Sequence, residues 1–163
     1  MAPAAEIDIK EVLAFTVGPV AVLCWHERPT IAALKATQDF FIAHYQGRDM
    51  VMLSIVESTS TPPDASERAY VQANMHRFTG MRAAASVIEG EGFKAAAIRA
   101  VLTGITLALR NPYPMRIFAT VAEATPWLLE RVPGQAGGVE QVVQAVERRR
   151  RVWHTSSAVS LGR

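Results

Sequence analysis

Strand-length apolar runs that alternate with helix-length amphipathic segments predict an α/β fold. The expected architecture is a mostly parallel sheet of about five strands with an antiparallel edge pair, covered by helices, plus an appended C-terminal helix. Three observations carry this. The runs Met50–Val56, Met81–Ile88 and 115–119 are each followed by a helical pattern, and strands joined through helices pair in parallel. The run 7–17 is separated from Val20–Trp25 only by Gly18-Pro19, too short a connection for anything but an antiparallel pair. Finally, 163 residues, 50% apolar and 20% charged, suit one compact body that buries about 70% of its unfolded surface without staples.

The elements follow in order. After Pro29, Thr30 can cap a helix with apolar positions Ile31, Leu34, Phe41 and Tyr45, which Gly47 stops. The strand Met50–Val56 leads into a polar, proline-broken loop over 58–63. Asp64 and Glu67 then form a capping box that opens a helix with the inner stripe Val71, Met75 and Phe78, ended by Gly80. Met81–Ile88 is rich in alanine, as a central strand closely flanked by helices would be. Gly90 and Gly92 turn the chain into a helix over 93–109, whose expected inner stripe is Phe93, Ala97, Val101, Ile105 and Ala108. Asn111-Pro-Tyr-Pro stops it before the last strand. Thr120 and Glu123 make another capping box, with Trp127 and Leu128 facing inward. Pro126 is awkward inside that helix, so a restart capped by Thr125 is expected. The glycines of 134–138 read as a linker, dividing a domain at 1–133 from a tail at 134–163. In the tail, Val139, Val142, Val143 and Val146 mark an amphipathic helix, and disorder is expected from about Thr155.

Charge is unevenly placed. The chain has 17 basic and 15 acidic residues, a net +2, but residues 1–146 hold 12 basic and 14 acidic ones, formally −2. A body without a clustered basic stripe is not expected to bind nucleic acid. The excess lies in Arg148, Arg149, Arg150 and Arg151, followed by Trp153. These could touch an anionic membrane surface or an acidic protein, yet four successive arginines spread around a helical turn, and we read them as a solvated helix end beside the negative dipole. The start MAPAAEIDIK lacks a basic region followed by an unbroken apolar one, and no apolar run reaches spanning length, so a cytoplasmic protein is expected.

No catalytic set stands out. Cys24 and His26 share one strand face, but no motif supplies an orienter for the base or donors for an oxyanion. As the only cysteine, Cys24 reads as a small buried hydrophobe. The histidines show no metal-ligand spacing, and no metal or cofactor is expected. Gly90 and Gly92 precede a helix as in a phosphate loop, but a third glycine is missing and Glu89 and Glu91 would repel an anion, which leaves turn and packing roles.

The element order, together with the segment from Met115-Arg-Ile-Phe through Glu123-Ala to Trp127-Leu128 and the run from Glu89 to Gly104, resembles the STAS domains over about residues 7–132. This group includes bacterial anti-sigma-factor antagonists and related SEC14-type modules. The resemblance implies a non-enzymatic protein-interaction module of bacterial signalling or of a larger assembly, with a protein partner or a second copy of itself. It departs at the phosphorylated turn of such proteins, because 54–68 contains no Ser-Gly pair. Ser58, Thr59, Ser60 and Ser66 are the phospho-switch or partner-binding candidates, with Gly90 and Gly92 beside them, although turn and cap chemistry explains the same hydroxyls. An alternative implied by the SEC14-type relatives is carriage of a small apolar or lipid ligand in a cavity lined by Phe41, Tyr45, Met75, Phe78 and Phe93. An enzyme using Cys24 and His26 is the third reading.

Overall fold

The computed structural model describes residues 6–134 and 137–160. Its elements, in chain order, are β1 (Ile7–Asp8), β2 (Val12–Val17), β3 (Val20–Trp25), α1 (Ile31–Tyr45), β4 (Met50–Val56), α2 (Ala65–Asn74), a 3-10 turn (Met75–Arg77), β5 (Met81–Ile88), α3 (Gly92–Ala108), β6 (Met115–Phe118), α4 (Val121–Leu129) and α5 (Val139–Ser160). The six strands pair in sequence order. β2 is antiparallel to both of its neighbours, β1 and β3, and β3 to β6 run parallel. The α/β fold read from the sequence is therefore present, with one strand more. The run 7–17 folds back on itself at Ile9–Val12, whose backbones exchange two hydrogen bonds, and Ile7 pairs with Ala14.

Alternation along the strands divides the core in two. Leu13, Phe15, Val22, Cys24, Leu53, Ile55, Ala83 and Val87 face α4 and α5. Their neighbours Val12, Ala14, Leu23, Trp25, Met50 and Met81 face the other way, toward α1 and the 3-10 turn after α2. The expected helix caps form: the Thr30 hydroxyl accepts from the Ala33 amide, and Asp64 and Glu67 make both halves of the capping box. Gly80 is required by close approach, since a Cβ there would lie 2.0 Å from the Arg48 carbonyl oxygen. No described helix is long and apolar enough to cross a membrane.

Four expectations change. Ile31, read as inward, is exposed, and α1 instead buries Ala33, Leu34, Thr37, Gln38, Phe41 and Tyr45. α4 is not recapped at Thr125. It runs from a Thr120 cap straight through Pro126, and the Thr125 hydroxyl donates to the Val121 carbonyl one turn back. Most of the stripe expected to bury α3 points outward: Phe93 is 89% exposed and Val101 63%, while the inward side offers Ala95, Leu102, the half-exposed Ile105 and Thr106. Apolar residues occur all round this helix, so periodicity could not tell its two sides apart. Lastly, α5 continues as helix past Thr155 to Ser160, and it docks. Val142, Val146 and Trp153 are buried in the same core as Leu128 and the sheet. Residues 135 and 136 of the glycine segment lie outside the described residues.

Candidate functional site

Two features stand out, one on each side of the sheet. The first is an apolar cavity of about 330 Å³ on the face that carries α1, α2 and α3. Its cause is the orientation of α3. That helix meets the sheet mainly at β6, through small side chains, and leaves Met52, Ser54, Val56, Ser86 and Ile88 of the central strands only partly covered. Phe41, Met75 and Phe78 wall the cavity, as the sequence suggested. Tyr45 and Phe93 do not. The Tyr45 hydroxyl donates to the Gly18 carbonyl at the far end of α1, and Phe93 faces solvent. Ser54 and Ser86 are paired in register, so two hydroxyls lie side by side on an otherwise apolar floor. Tyr113 also lines the space, its phenol pushed up to about 12 by burial and so neutral.

The wall formed by α2 is pinned from outside. Arg28, just before α1, donates to Asp64 at 2.6 Å and to both carboxylate oxygens of Glu67, at 3.0 and 3.3 Å. Asp64 is held near 2 by hydrogen bonds from the Ser66 hydroxyl and the Glu67 amide, with the Arg28 charge adding to them. These contacts fix the N-terminus of α2 beside Pro29 and Pro63 at the rim of the cavity.

The second feature is a charged cluster at the carboxyl edge of the parallel strands, where open α/β sheets present their functional groups. β3, β4 and β5 end in register, and the ladder runs one residue further: the Glu57 amide bonds the Trp25 carbonyl, and the Glu89 amide bonds Val56. His26, Glu57 and Glu89 therefore stand in a row, on the face that carries Cys24, Ile55 and Val87. α5 closes over them with Arg150, Trp153 and His154, spaced i, i+3 and i+4 on one side of the helix.

Glu57, only 7% exposed, is the hub. His26 Nδ1 lies 2.9 Å from its Oε2 and His154 Nε2 2.9 Å from its Oε1. Arg150 donates to Glu57 Oε1 at 2.9 Å and to both oxygens of Glu89 at 2.7 Å. Burial pushes the Glu57 carboxyl up, but the hydrogen bonds from His26 and Arg150 outweigh it and hold the group below its usual value. Burial likewise works against the Arg150 charge, and the two glutamates more than restore it. Trp153 Nε1 donates to Asp8 on the edge strand, and Arg149 pairs with Glu6.

These placements revise the site residues read from sequence. Of the four arginines, Arg148 and Arg151 are exposed while Arg150 is enclosed in ion pairs, so the segment is not simply a solvated helix end. Cys24 is buried and its thiol is pushed up to about 12 by that burial, and His26 turns to Glu57. The loop hydroxyls are largely spent on the fold: Thr59 donates to the His26 carbonyl, Ser60 to the Glu27 carbonyl and Ser66 to Asp64. Ser58 is exposed. Gly90 and Gly92 adopt φ of +129° and +83°, which accounts for both glycines as turn residues. Glu57, Glu89 and His154 were missed. The available signal was a polar residue directly after each parallel strand, at the parity of the α5-facing side.

No family model, curated protein or solved structure matches this chain.

Proposed function

We propose that the protein is a non-enzymatic, STAS-like module that binds a small, largely apolar ligand between its sheet and α1, α2 and α3. The observation that carries this reading is the 330 Å³ cavity, which falls at the lower end of the roughly 300–1,000 Å³ of small-molecule sites. Its walls are mainly apolar, with Thr37, Gln38, Thr106 and Tyr113 among them, and its floor holds two adjacent hydroxyls, Ser54 and Ser86, which suits a ligand with an apolar body and a polar end. Magnitudes point the same way. At about 24 cal/mol per Å³ of unfilled cavity, a sealed void of this size would cost about 8 kcal/mol, an upper bound because the cavity opens to solvent. That is comparable with the whole stability of a domain, so an occupant has a large free energy to recover.

The test is native mass spectrometry of protein purified from its own host, paired with displacement of a fluorescent apolar probe by a fatty acid. Retained mass in the wild type, and its loss when Ala84→Leu fills the cavity, is the expected result. An empty protein that binds no apolar probe overturns the reading.

A second reading, a protein-contact module, is favoured by the outer side of α3, where Phe93, Val101 and Leu107 are exposed. The occupant it names is a second copy of the chain. Sedimentation of the full chain separates the two readings: a monomer at micromolar concentration rejects self-association and leaves the cavity untouched.

A further inference from the structure

We propose that His26, Glu57 and His154 form a site for one divalent transition-metal ion, with Zn²⁺ the best fit, on the face of the sheet opposite the cavity. The inference does not rest on the ligand-binding reading. Three donor atoms, His26 Nδ1, a Glu57 carboxylate oxygen and His154 Nε2, converge within 4.8 Å of one another. An ion bound at about 2.0–2.1 Å in tetrahedral geometry holds its ligands roughly 3.3 Å apart. The two histidine nitrogens now stand 2.9 Å from the two oxygens of the carboxylate, and donors at most 4.8 Å apart reach the required spacing by movements of up to about 1.5 Å, within the range of side-chain torsions. Two imidazoles and a carboxylate suit zinc and its neighbours in the first transition row better than magnesium or calcium, which prefer oxygen alone.

Charge supports the same assignment. With neutral histidines the cluster contains Glu57 and Glu89 against the single guanidinium of Arg150. Arg150 makes a two-bond pair with Glu89, which leaves one surplus negative charge at a carboxylate largely withdrawn from water. The guanidinium stays on Oε1, and Oε2, beside His26, is the oxygen offered to the ion. A second hydrogen bond on the ligating carboxylate is the usual way such a ligand is oriented. Glu57 is also fixed by its backbone bond to Trp25, whereas both imidazoles are partly exposed, so an ion can enter from solvent and water can take a fourth position.

The protons balance. Without metal, each neutral imidazole donates one N–H to Glu57. In the metal complex the lone pairs of Nδ1 on His26 and Nε2 on His154 face the ion, and each ring carries its proton on the other nitrogen. An imidazolium would release one proton on binding, so acid weakens the site. The ion would tie α5 to the ends of β3 and β4, and ligation of the folded state raises stability with metal concentration.

The test uses the full chain, without a histidine tag, stripped by chelator. Zn²⁺ is titrated by calorimetry and followed by thermal melting, and Co²⁺ serves as a visible-absorption probe of coordination. The expected result is one equivalent bound, a melting midpoint that rises with Zn²⁺, and cobalt bands of a four- or five-coordinate site. His26→Ala and His154→Ala should each weaken binding at least tenfold, and His44→Ala and His76→Ala, exposed on other elements, should leave it unchanged. Circular dichroism verifies that each variant is folded, and failure of one histidine variant to fold leaves the other to decide. Absence of stoichiometric binding, or wild-type affinity in either folded His26 or His154 variant, overturns the proposal and leaves the cluster as an ion-pair latch.

Discussion

Leu53 and Met52 are neighbours on the same central strand, and they meet opposite fates. Leu53 is sealed beneath α4 and α5, while Met52, turned to the other face, borders a cavity. The strands are shared, so the difference lies in the covering helices. α4 and α5 bring large branched and aromatic side chains, Leu128, Val142, Val146 and Trp153, into contact with an alanine-bearing sheet. α3 brings Ala95, Leu102, Ile105 and Thr106 to its side, of which only Ala95 is buried, and directs Phe93, Val101 and Leu107 to solvent. Large, fully buried side chains on one face and an open cavity on the other teach that the two faces of one sheet are packed to different degrees by the helices that cover them.

The sharpest way to break this comparison is to remove α5. Full burial of a Val or similar side chain contributes about 1.5–3 kcal/mol, and deletion of 139–163 strips Val142, Val146 and Trp153 together. The sum is of the order of a domain's whole margin. The truncated chain is expected to lose its cooperative urea transition. A well-folded truncation would return α5 to the status of an appendage.

Next in size is the pair of neighbours themselves. Leu53→Ala should cost about 2–5 kcal/mol in urea denaturation, whereas Met52→Ala, which enlarges an existing space, should cost less than about 1 kcal/mol. The adjacent alanines of β5 give the reverse test. Ala83→Leu pushes into the packed face and should cost about 1–3 kcal/mol, while Ala84→Leu grows into the cavity, is tolerated, and abolishes apolar-probe binding. Equal costs within either pair would mean that the two faces are packed alike.

Legibility differed between the faces in the same way. Strands, caps and the parallel order followed from local chemistry: Gly18-Pro19 for the hairpin, Asp64 with Glu67 for the capping box, and Ala83 to Ala85 for a closely covered strand. α3 was misread because Phe93, Ala97 and Val101 satisfy a helical period as well as Ala95, Leu102 and Thr106 do. Period alone does not say which stripe faces the sheet. The charged cluster was harder still. His26, Glu57, Glu89 and His154 come from four elements, and only strand register and the docking of α5 place them together. The arginine run was read as a unit, yet Arg149 and Arg150 fall on the inner side of the helix between Val146 and Trp153, against Glu6 and Glu57, while Arg148 and Arg151 are exposed.

A smaller effect is expected from pH. The Glu57 carboxyl is held below its ordinary value of 4.5 in the fold, so its contribution is fully present above that value and is lost as pH falls through the lower one. Glu57→Gln should therefore narrow the stability difference from wild type as pH drops below about 4.5, measured by urea midpoints across the acid range. A difference that stays constant over that range would assign the stabilisation to packing of the side chain and not to its charge.

The smallest expected change concerns the outer side of α3. Phe93 and Leu107 are 89% and 80% exposed, so folding of the monomer removes little of their area from water. Replacing Phe93, Val101 and Leu107 together by serine should shift the urea midpoint by an amount equivalent to only about 0.5 kcal/mol per site, the usual range for surface positions. Helix propensity sets the residue of the effect, since serine is slightly poorer than leucine and close to valine and phenylalanine. The measurement also tests the cavity, because α3 is its cover. A covering helix with Ala95 as its one buried residue among those described should exchange its amide protons faster than α4 or α5, in the variant and wild type alike. If serine on the outer side instead costs several kcal/mol, and the cost grows with protein concentration, that side is buried against another copy. The loosely packed face of the sheet would then owe its stability to association.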